Sequence, residues 1–175
     1  MHEPFEICPQ VFDESEIAFI KSCGDASNTI EQTGVFSRTR GTIALPPMIV
    51  KKLKKAVQRS SYYEAFRLFF PTKFERFIMS TYDTEQSFKV HHDVSQNAKG
   101  DSLYDRKISI AVLLNNDYEG GEFFMHDVGL DEPFLITLHP GDVLLFPSFC
   151  DHSMNAITSG QRISLSTWVT GPRWC

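Results

Sequence analysis

After Pro71 the apolar residues stop recurring at helical spacing and begin to alternate. From there on, short alternating or apolar runs are separated by Asn, Asp, Gly, Pro and Ser. Candidate strands cover about 74–82, 87–91, 106–115, 121–126, 133–138, 142–147, 152–157 and 162–170. Eight short strands after a helical N-terminal third predict an α+β, mainly β chain. The expected architecture is a double-stranded β-helix, or jelly roll, backed by N-terminal helices. Within 106–115 the two faces differ. Ile108, Ile110, Val112 and Leu114 make an apolar face expected to pack on the helices. Ser109 and Ala111 on the other face are small, as in a strand that lines a ligand cavity.

A single domain is expected over 1–175, with 1–73 as helical support and 74–175 as the jelly-roll core. Phe5 to Val11 read as an opening strand or extended arm. Asp13 or Ser15 can cap a helix with Phe12, Ile17, Phe19 and Ile20 on its apolar face, ending near Cys23 before Gly24. Between Asp25 and Leu45 the best strand is Thr42-Ile43-Ala44-Leu45. Pro46-Pro47 opens a second helix, in which Ile49, Leu53, Ala56 and Val57 recur at helical spacing. Lys51, Lys52, Lys54 and Lys55 fall on its other side and read as a solvated face. The aromatic-rich residues 62–70 continue the helical region up to Pro71.

The formal net charge of −5 argues against a general polyanion-binding surface, and no nucleic-acid partner is expected. The four cysteines, at 8, 23, 150 and 175, form no Cys-x-x-Cys pair. The N-terminus is acidic and lacks an apolar signal region, so a reducing cytoplasm is the expected compartment. No apolar run approaches the roughly 18 residues of a membrane span.

The chemistry concentrates at His91-His92-Asp93. On a strand, side chains at i and i+2 share a face, so His91 and Asp93 can meet one metal while His92 points away. His152, from a later strand, can complete a set of two histidines and one carboxylate. That set holds iron(II) on one face and leaves the other open. Open zinc sites also use three ligands, but nothing else in the chain resembles a zinc enzyme, and an anionic co-substrate would explain the downstream Arg162. Arg162 presents a rigid fork that matches a carboxylate, and Ser164 on the same strand face can donate a further bond.

Further stations lie in order along the chain. Tyr82-Asp83-Thr84-Glu85-Gln86-Ser87-Phe88 leads into His91-His92-Asp93. Leu114-Asn115-Asn116-Asp117 runs into Tyr118-Glu119-Gly120-Gly121-Glu122-Phe123. Pro140-Gly141-Asp142 precedes Val143-Leu144-Leu145-Phe146-Pro147, and Thr158-Ser159-Gly160-Gln161-Arg162 follows His152. From Tyr82 to the C-terminus the chain resembles the 2-oxoglutarate- and iron(II)-dependent oxygenases, prolyl 4-hydroxylase-like branch.

The resemblance implies iron(II), 2-oxoglutarate and O₂, with ascorbate as a further candidate. It implies that His91, Asp93 and His152 ligate the metal. Arg162 and Ser164 would hold the distal carboxylate of 2-oxoglutarate, and Tyr82 would hydrogen-bond it. One position departs: the branch often carries a tyrosine where this chain has Leu113, which shifts that work to Tyr82 or Ser164. Phe88, Phe123 and Met154 occupy positions that wall the pocket. Arg106 matches a position facing the substrate or the co-substrate, and Arg38 and Arg40 resemble a substrate-loop pair. Trp168 shares strand parity with Arg162 and is expected to wall the substrate side. His2, His126 and His139 read as surface or turn residues, and Cys150 as a core residue.

The implied activity is hydroxylation of a prolyl or other residue in a peptide or protein, with release of succinate and CO₂. Segments 28–41 and 94–105 would cover the substrate. The alternatives are a hydroxylase of a free amino acid or other small molecule and, more remotely, a non-catalytic jelly-roll binding module. Trp168 stands where alkylation-repair demethylases carry a second arginine. Asp93 argues against a halogenase.

Overall fold

The computed structural model describes residues 4–24, 29–65, 73–94, 104–126 and 132–172. His2, Cys175, the helical continuation expected over 66–70 and most of segment 94–105 lie outside them. In chain order the first elements are β1 (Glu6–Cys8), α1 (Glu14–Ser22), β2 (Thr29–Gln32), β3 (Ser37–Ile43), α2 (Pro47–Arg59) and α3 (Ser61–Ala65). There follow β4 (Lys73–Phe74), β5 (Phe77–Tyr82), β6 (Phe88–His91), β7 (Tyr104–Leu113), β8 (Tyr118–Gly120) and β9 (Phe123–His126). The chain closes with β10 (Phe134–Ile136), β11 (Val143–Pro147), β12 (Asp151–Met154), β13 (Ile157–Gly160) and β14 (Arg162–Pro172).

An eight-stranded sheet runs β1-β11-β7-β14-β5-β3-β2, with β4 also paired to β14. Facing it is a four-stranded sheet, β10-β9-β12-β6, and β13 pairs β8 in a short ribbon. Among the described residues the pairings between these strands are antiparallel, as short hairpin-linked strands favour. This is the jelly roll that the alternating segments predict. The N-terminal third supplies strands as well as helices: β1 forms one edge of the large sheet, and the β2–β3 hairpin forms the other.

Strand parity divides the interior. On β7, Ile108, Ile110 and Val112 join Val143 and Leu145 of β11 and Leu165 and Val169 of β14 in a core against the helices. The opposite faces of the same strands present Leu144 and Phe146 to a second core, shared with Phe88, Phe123, Met125 and Met154. β11 is buried on both faces, and its run Val-Leu-Leu-Phe-Pro shows no alternation for that reason.

The helices seal the back of the large sheet. Asp13 accepts from the Glu16 backbone N–H while the Glu16 side chain accepts from the Asp13 N–H, a reciprocal cap that starts α1. α2 begins with Pro47, whose missing N–H costs nothing in the first turn. It buries Ile49, Leu53, Ala56 and Val57. Each fully buried Leu, Ile or Val side chain contributes about 1.5–3 kcal/mol. On its polar side Lys52 reaches Glu16 of α1 at 2.6 Å.

The turn before β11 depends on Gly141, at φ +91, where a Cβ would collide with the Phe12 carbonyl. Asp142 closes the same turn by accepting from the Gln10 and His139 backbone N–H groups, each at 2.8 Å.

Some boundaries differ from the sequence reading. The strand expected at Thr42–Leu45 runs from Ser37 to Ile43, and it forms a hairpin with β2, whose polar Thr-Ile-Glu-Gln carries no alternation signal. Tyr118–Gly120 pairs as a strand of its own. The segment 152–157 is broken at Asn155–Ala156 into β12 and β13.

Candidate functional site

A cleft of about 170 Å³ opens between the two sheets. All ten residues singled out above line it: Arg38 and Arg40 on β3, Tyr82 on β5, His91 and Asp93 on and after β6, Arg106 on β7, His152 on β12, and Arg162, Ser164 and Trp168 on β14. Parity accounts for most of this. Arg162, Ser164, Ser166 and Trp168 are alternate residues of one strand. Arg106 needs more explanation, because Ser109 on the same strand also faces the cleft. A register shift between β7 and β14 at Val169/Thr170 inserts one residue there and turns Arg106 inward.

His91, Asp93 and His152 present ligand atoms that all lie within 4.8 Å of one another. His91 Nε2 is 3.9 Å from Asp93 Oδ1, and His152 Nε2 is 3.8 Å from Asp93 Oδ2. Cross-strand pairing places His152 directly opposite His91. Each imidazole has its other nitrogen on a backbone carbonyl: His91 Nδ1 on Lys89 at 2.8 Å, His152 Nδ1 on Cys150 at 3.2 Å. A carbonyl can only accept, so Nδ1 carries the proton in both rings and both Nε2 lone pairs face the cleft.

Burial pushes the His152 imidazole down to about 4, with His91 adding to the effect and Asp93 opposing it. The ring is therefore neutral near pH 7, the form that ligates metals. Burial would raise the Asp93 carboxyl. The attraction of His152, the Ser109 hydroxyl, Trp168 and His91 outweigh it, and the group lies below its ordinary value.

Asp93 is held from behind. Ser109 donates to its Oδ2 at 2.7 Å. Since that hydroxyl has one hydrogen, the 3.0 Å contact between Ser109 and Ser148 is a bond donated by Ser148. The Asp93 N–H is bound to the Ser148 carbonyl at 2.9 Å. Aromatic rings enclose the histidines: Phe123 stacks on His152 at 5.6 Å, Phe146 meets it edge-on at 4.8 Å, and Phe36 meets His91 at 4.7 Å. Such walls keep water from the imidazoles and narrow what can approach the donors.

Arg162 is only 4% exposed. No carboxylate among the described residues lies within ion-pair distance of it, and its Nε is buried without a hydrogen-bond partner. A buried guanidinium without an anion is costly, so the arrangement fits a ligand carboxylate. Ser80 Oγ on β5 and Trp168 Nε1 on β14 are also buried, with no hydrogen-bond partner among the described residues. Trp168 Nε1 lies close to Asp93 but outside hydrogen-bond geometry.

The Tyr82 ring lies 6.0 Å from the Arg162 guanidinium, and its hydroxyl accepts from Arg38 at 3.1 Å. Burial disfavours the Arg38 cation, but Tyr82 and Glu31 hold its pKa above the ordinary value. Leu113 sits directly across from Ser164 and is itself buried. Arg106 grips Glu75 with a two-pronged bond, Nε to Oε1 at 2.9 Å and Nη2 to Oε2 at 2.8 Å, and stacks 3.6 Å from the Trp168 ring.

The remaining expectations divide. Phe88 and Phe123 line the cleft, whereas Met154 packs in the core behind it. His126 is tied to Ser153, and His139 sits at the Asp142 turn. Cys150 acts through its carbonyl. The sequence reading named Asn115 only as part of a turn. Its amide binds Asp117 and the Gln161 carbonyl and accepts from the Ile163 N–H, each at 2.6 Å, which fixes the backbone on both sides of Arg162. Gly121, at φ +66, leaves room beside that arginine: a Cβ would lie 2.5 Å from Ile157 Cδ1 and 3.4 Å from Arg162 Cδ.

Residues 77–170, more than half of the chain, match the family described as the 2OG-Fe(II) oxygenase superfamily. The chain belongs to this superfamily. A PKHD-type hydroxylase of Psychrobacter is 38% identical over 96 residues, which cover 53% of this chain and 36% of that protein. The chain thus spans about a third of that relative's length. A Pseudomonas putida prolyl-4-hydroxylase superposes with a TM-score of 0.72 over 98% of this chain and 94% of that one, at 16% identity. A viral collagen prolyl hydroxylase from Paramecium bursaria Chlorella virus-1, solved as its 2OG complex, gives 0.70 over 97% of each chain at 14% identity. At these identities the superpositions speak to the fold. Two imidazoles in facing registers, the Asp93 carboxylate between them and a buried, anion-seeking arginine fit the iron and the keto acid that the family name specifies.

Proposed function

We propose that this protein is an iron(II)- and 2-oxoglutarate-dependent oxygenase that hydroxylates a prolyl or other residue of a peptide or protein. One observation carries the reading: a buried guanidinium with no acid partner among the described residues shares a cleft with two imidazoles and a carboxylate that can hold a metal. His91, Asp93 and His152 would hold the iron. Arg162, with Ser164 and Tyr82 beside it, would hold the distal carboxylate of the co-substrate. Bound there, iron and keto acid would supply oxygen activation, with succinate and CO₂ as coproducts.

The chain's own part is placement. The lysine and cysteine carbonyls fix the imidazole tautomers, and Ser109 aims the carboxylate. Phe36, Phe88, Phe123 and Phe146 exclude water around the donors. Trp168 and Arg106 at the cleft mouth would orient the acceptor, the indole face offering a surface on which a proline ring can stack.

The test couples 2-oxoglutarate decarboxylation to mass spectrometry of the acceptor. A proline-containing peptide should gain one oxygen atom, and Trp168→Ala should lose that product while still consuming 2-oxoglutarate without coupling. Hydroxylation of a free amino acid with every peptide inert would replace the peptide reading by the small-molecule one.

A further inference from the structure

The cleft continues outward into a second groove of about 610 Å³. The two share Glu31, Arg40, Ile78, Arg106 and Trp168. Two properties of this groove have no use in holding iron or a keto acid.

The first is its charge. Glu31 serves two guanidinium groups at once, Arg38 at 2.9 Å and Arg40 at 3.1 Å. Glu75 is fully engaged by the Arg106 fork. Arg76 lines the groove, is exposed, and makes no ion pair with a described residue. Arg40, Arg76 and Arg106 thus face Glu31 and Glu75 among the residues that line the groove, a local excess of one positive charge on a chain whose net charge is −5. A local field of sign opposite to the whole is a feature of ligand selection.

The second is its shape. Residues 29–33, five in succession, line the groove. They include β2, the terminal strand of the eight-stranded sheet, whose outer backbone edge pairs with no described strand. Ile30, in the middle of that edge, is 75% exposed. An unpaired strand edge beside an apolar side chain suits an extended chain, which can take its N–H and C=O groups in succession. A small molecule could not use an edge of that length.

We propose that this groove docks an extended peptide carrying an acidic residue, with the backbone along β2 and the acid between Arg76 and Arg40, so that the neighbouring residue is delivered to the metal cleft. The proposal rests on the peptide reading above and adds the selectivity for acid. A nucleic-acid strand would also meet positive charge here, but the acidic chain as a whole would repel its flanks.

The test reads binding, not turnover. The full chain, loaded with iron(II) and 2-oxoglutarate without oxygen, is titrated into fluorescein-labelled short peptides with a central proline and Glu, Gln or Lys beside it, and anisotropy is followed. The Glu peptides should bind about three- to tenfold more tightly than the Gln peptides, the range for two partly exposed ion pairs. Arg76→Glu should abolish that preference or invert it toward the Lys peptides. Equal affinity for Glu and Gln peptides, or a preference unchanged in Arg76→Glu, would overturn the proposal. So would displacement of the Glu peptide by a single-stranded oligonucleotide at lower concentration than by unlabelled Glu peptide. Uptake of 2-oxoglutarate by the same samples separates the two levels. If it is intact while no peptide binds, the groove proposal fails and the oxygenase reading stands; if it is absent, the oxygenase reading itself fails.

Discussion

Ser109 donates a 2.7 Å hydrogen bond to the Asp93 carboxylate, and Ser148 in turn donates to Ser109. The relay leaves Asp93 one fixed orientation, with Oδ1 toward His91 and Oδ2 toward His152. Ser109→Ala removes the bond and almost no volume. Groups that orient a metal ligand are worth about 10- to 100-fold in metal affinity. Anaerobic calorimetry should show weaker iron(II) binding of that order in Ser109→Ala, with the unfolding temperature of the metal-free protein little changed. An unaltered iron isotherm would remove the relay from the account.

Arg162→Ala should weaken 2-oxoglutarate binding sharply. Truncating one partner of a buried charge pair costs about 2–5 kcal/mol, and about 1.4 kcal/mol is tenfold. The expected loss is roughly 30- to 4,000-fold, with iron affinity retained. Tyr82→Phe should cost less, since the ring stays and only its hydroxyl, held by Arg38, is lost. Equilibrium dialysis with labelled 2-oxoglutarate reads both variants.

The metal-free protein should lose stability as pH falls from about 6.5 to about 4. His152 is held down to about 4 in the fold, by burial first, and titrates at its ordinary value when unfolded. Between those values the unfolded chain binds more protons, so acid favours unfolding. Asp93, also held low, acts in the same direction at the acid end of this window and below it. Thermal unfolding across this range should show a shallower pH slope in His152→Gln. An equal slope would place the acid sensitivity elsewhere.

Leu53→Ala in α2 empties a fully buried site under the large sheet and should cost about 2–5 kcal/mol. Gly141→Ala should destabilise through a different route, since the added carbon meets the Phe12 backbone at a left-handed φ. Urea unfolding distinguishes both from a surface control such as Lys55→Ala, which should stay within about 0.5 kcal/mol.

The sequence carried the jelly roll because β7 and β14 alternate cleanly and because their apolar and polar faces point to different places. It carried most members of the cleft because Arg38, Arg40, Tyr82, His91, His152, Arg162, Ser164 and Trp168 sit at a fixed parity on their strands. What it did not carry was cross-chain. The hairpin of β2 and β3 is held by Glu31–Arg38 and Glu31–Arg40 pairs, which leave no periodic trace. Ser148, Glu75 and Phe36 act through partners between 31 and 55 positions away or through the backbone, and nothing local marks them. Arg106 faces inward because of a register shift, and a shift of one residue is invisible until both strands are paired.

The central claim is that His91, Asp93 and His152 hold one iron(II) to which 2-oxoglutarate binds under the hand of Arg162. Anaerobic titration of iron(II) and then 2-oxoglutarate into the full chain, followed by the visible charge-transfer absorption of an iron–keto acid complex, measures it directly. The band should saturate at one iron per chain, disappear in His91→Ala and Asp93→Ala, and in Arg162→Ala return only at much higher 2-oxoglutarate. A band that persists at full intensity in His91→Ala, or no band in the unaltered protein loaded with both, would contradict the claim.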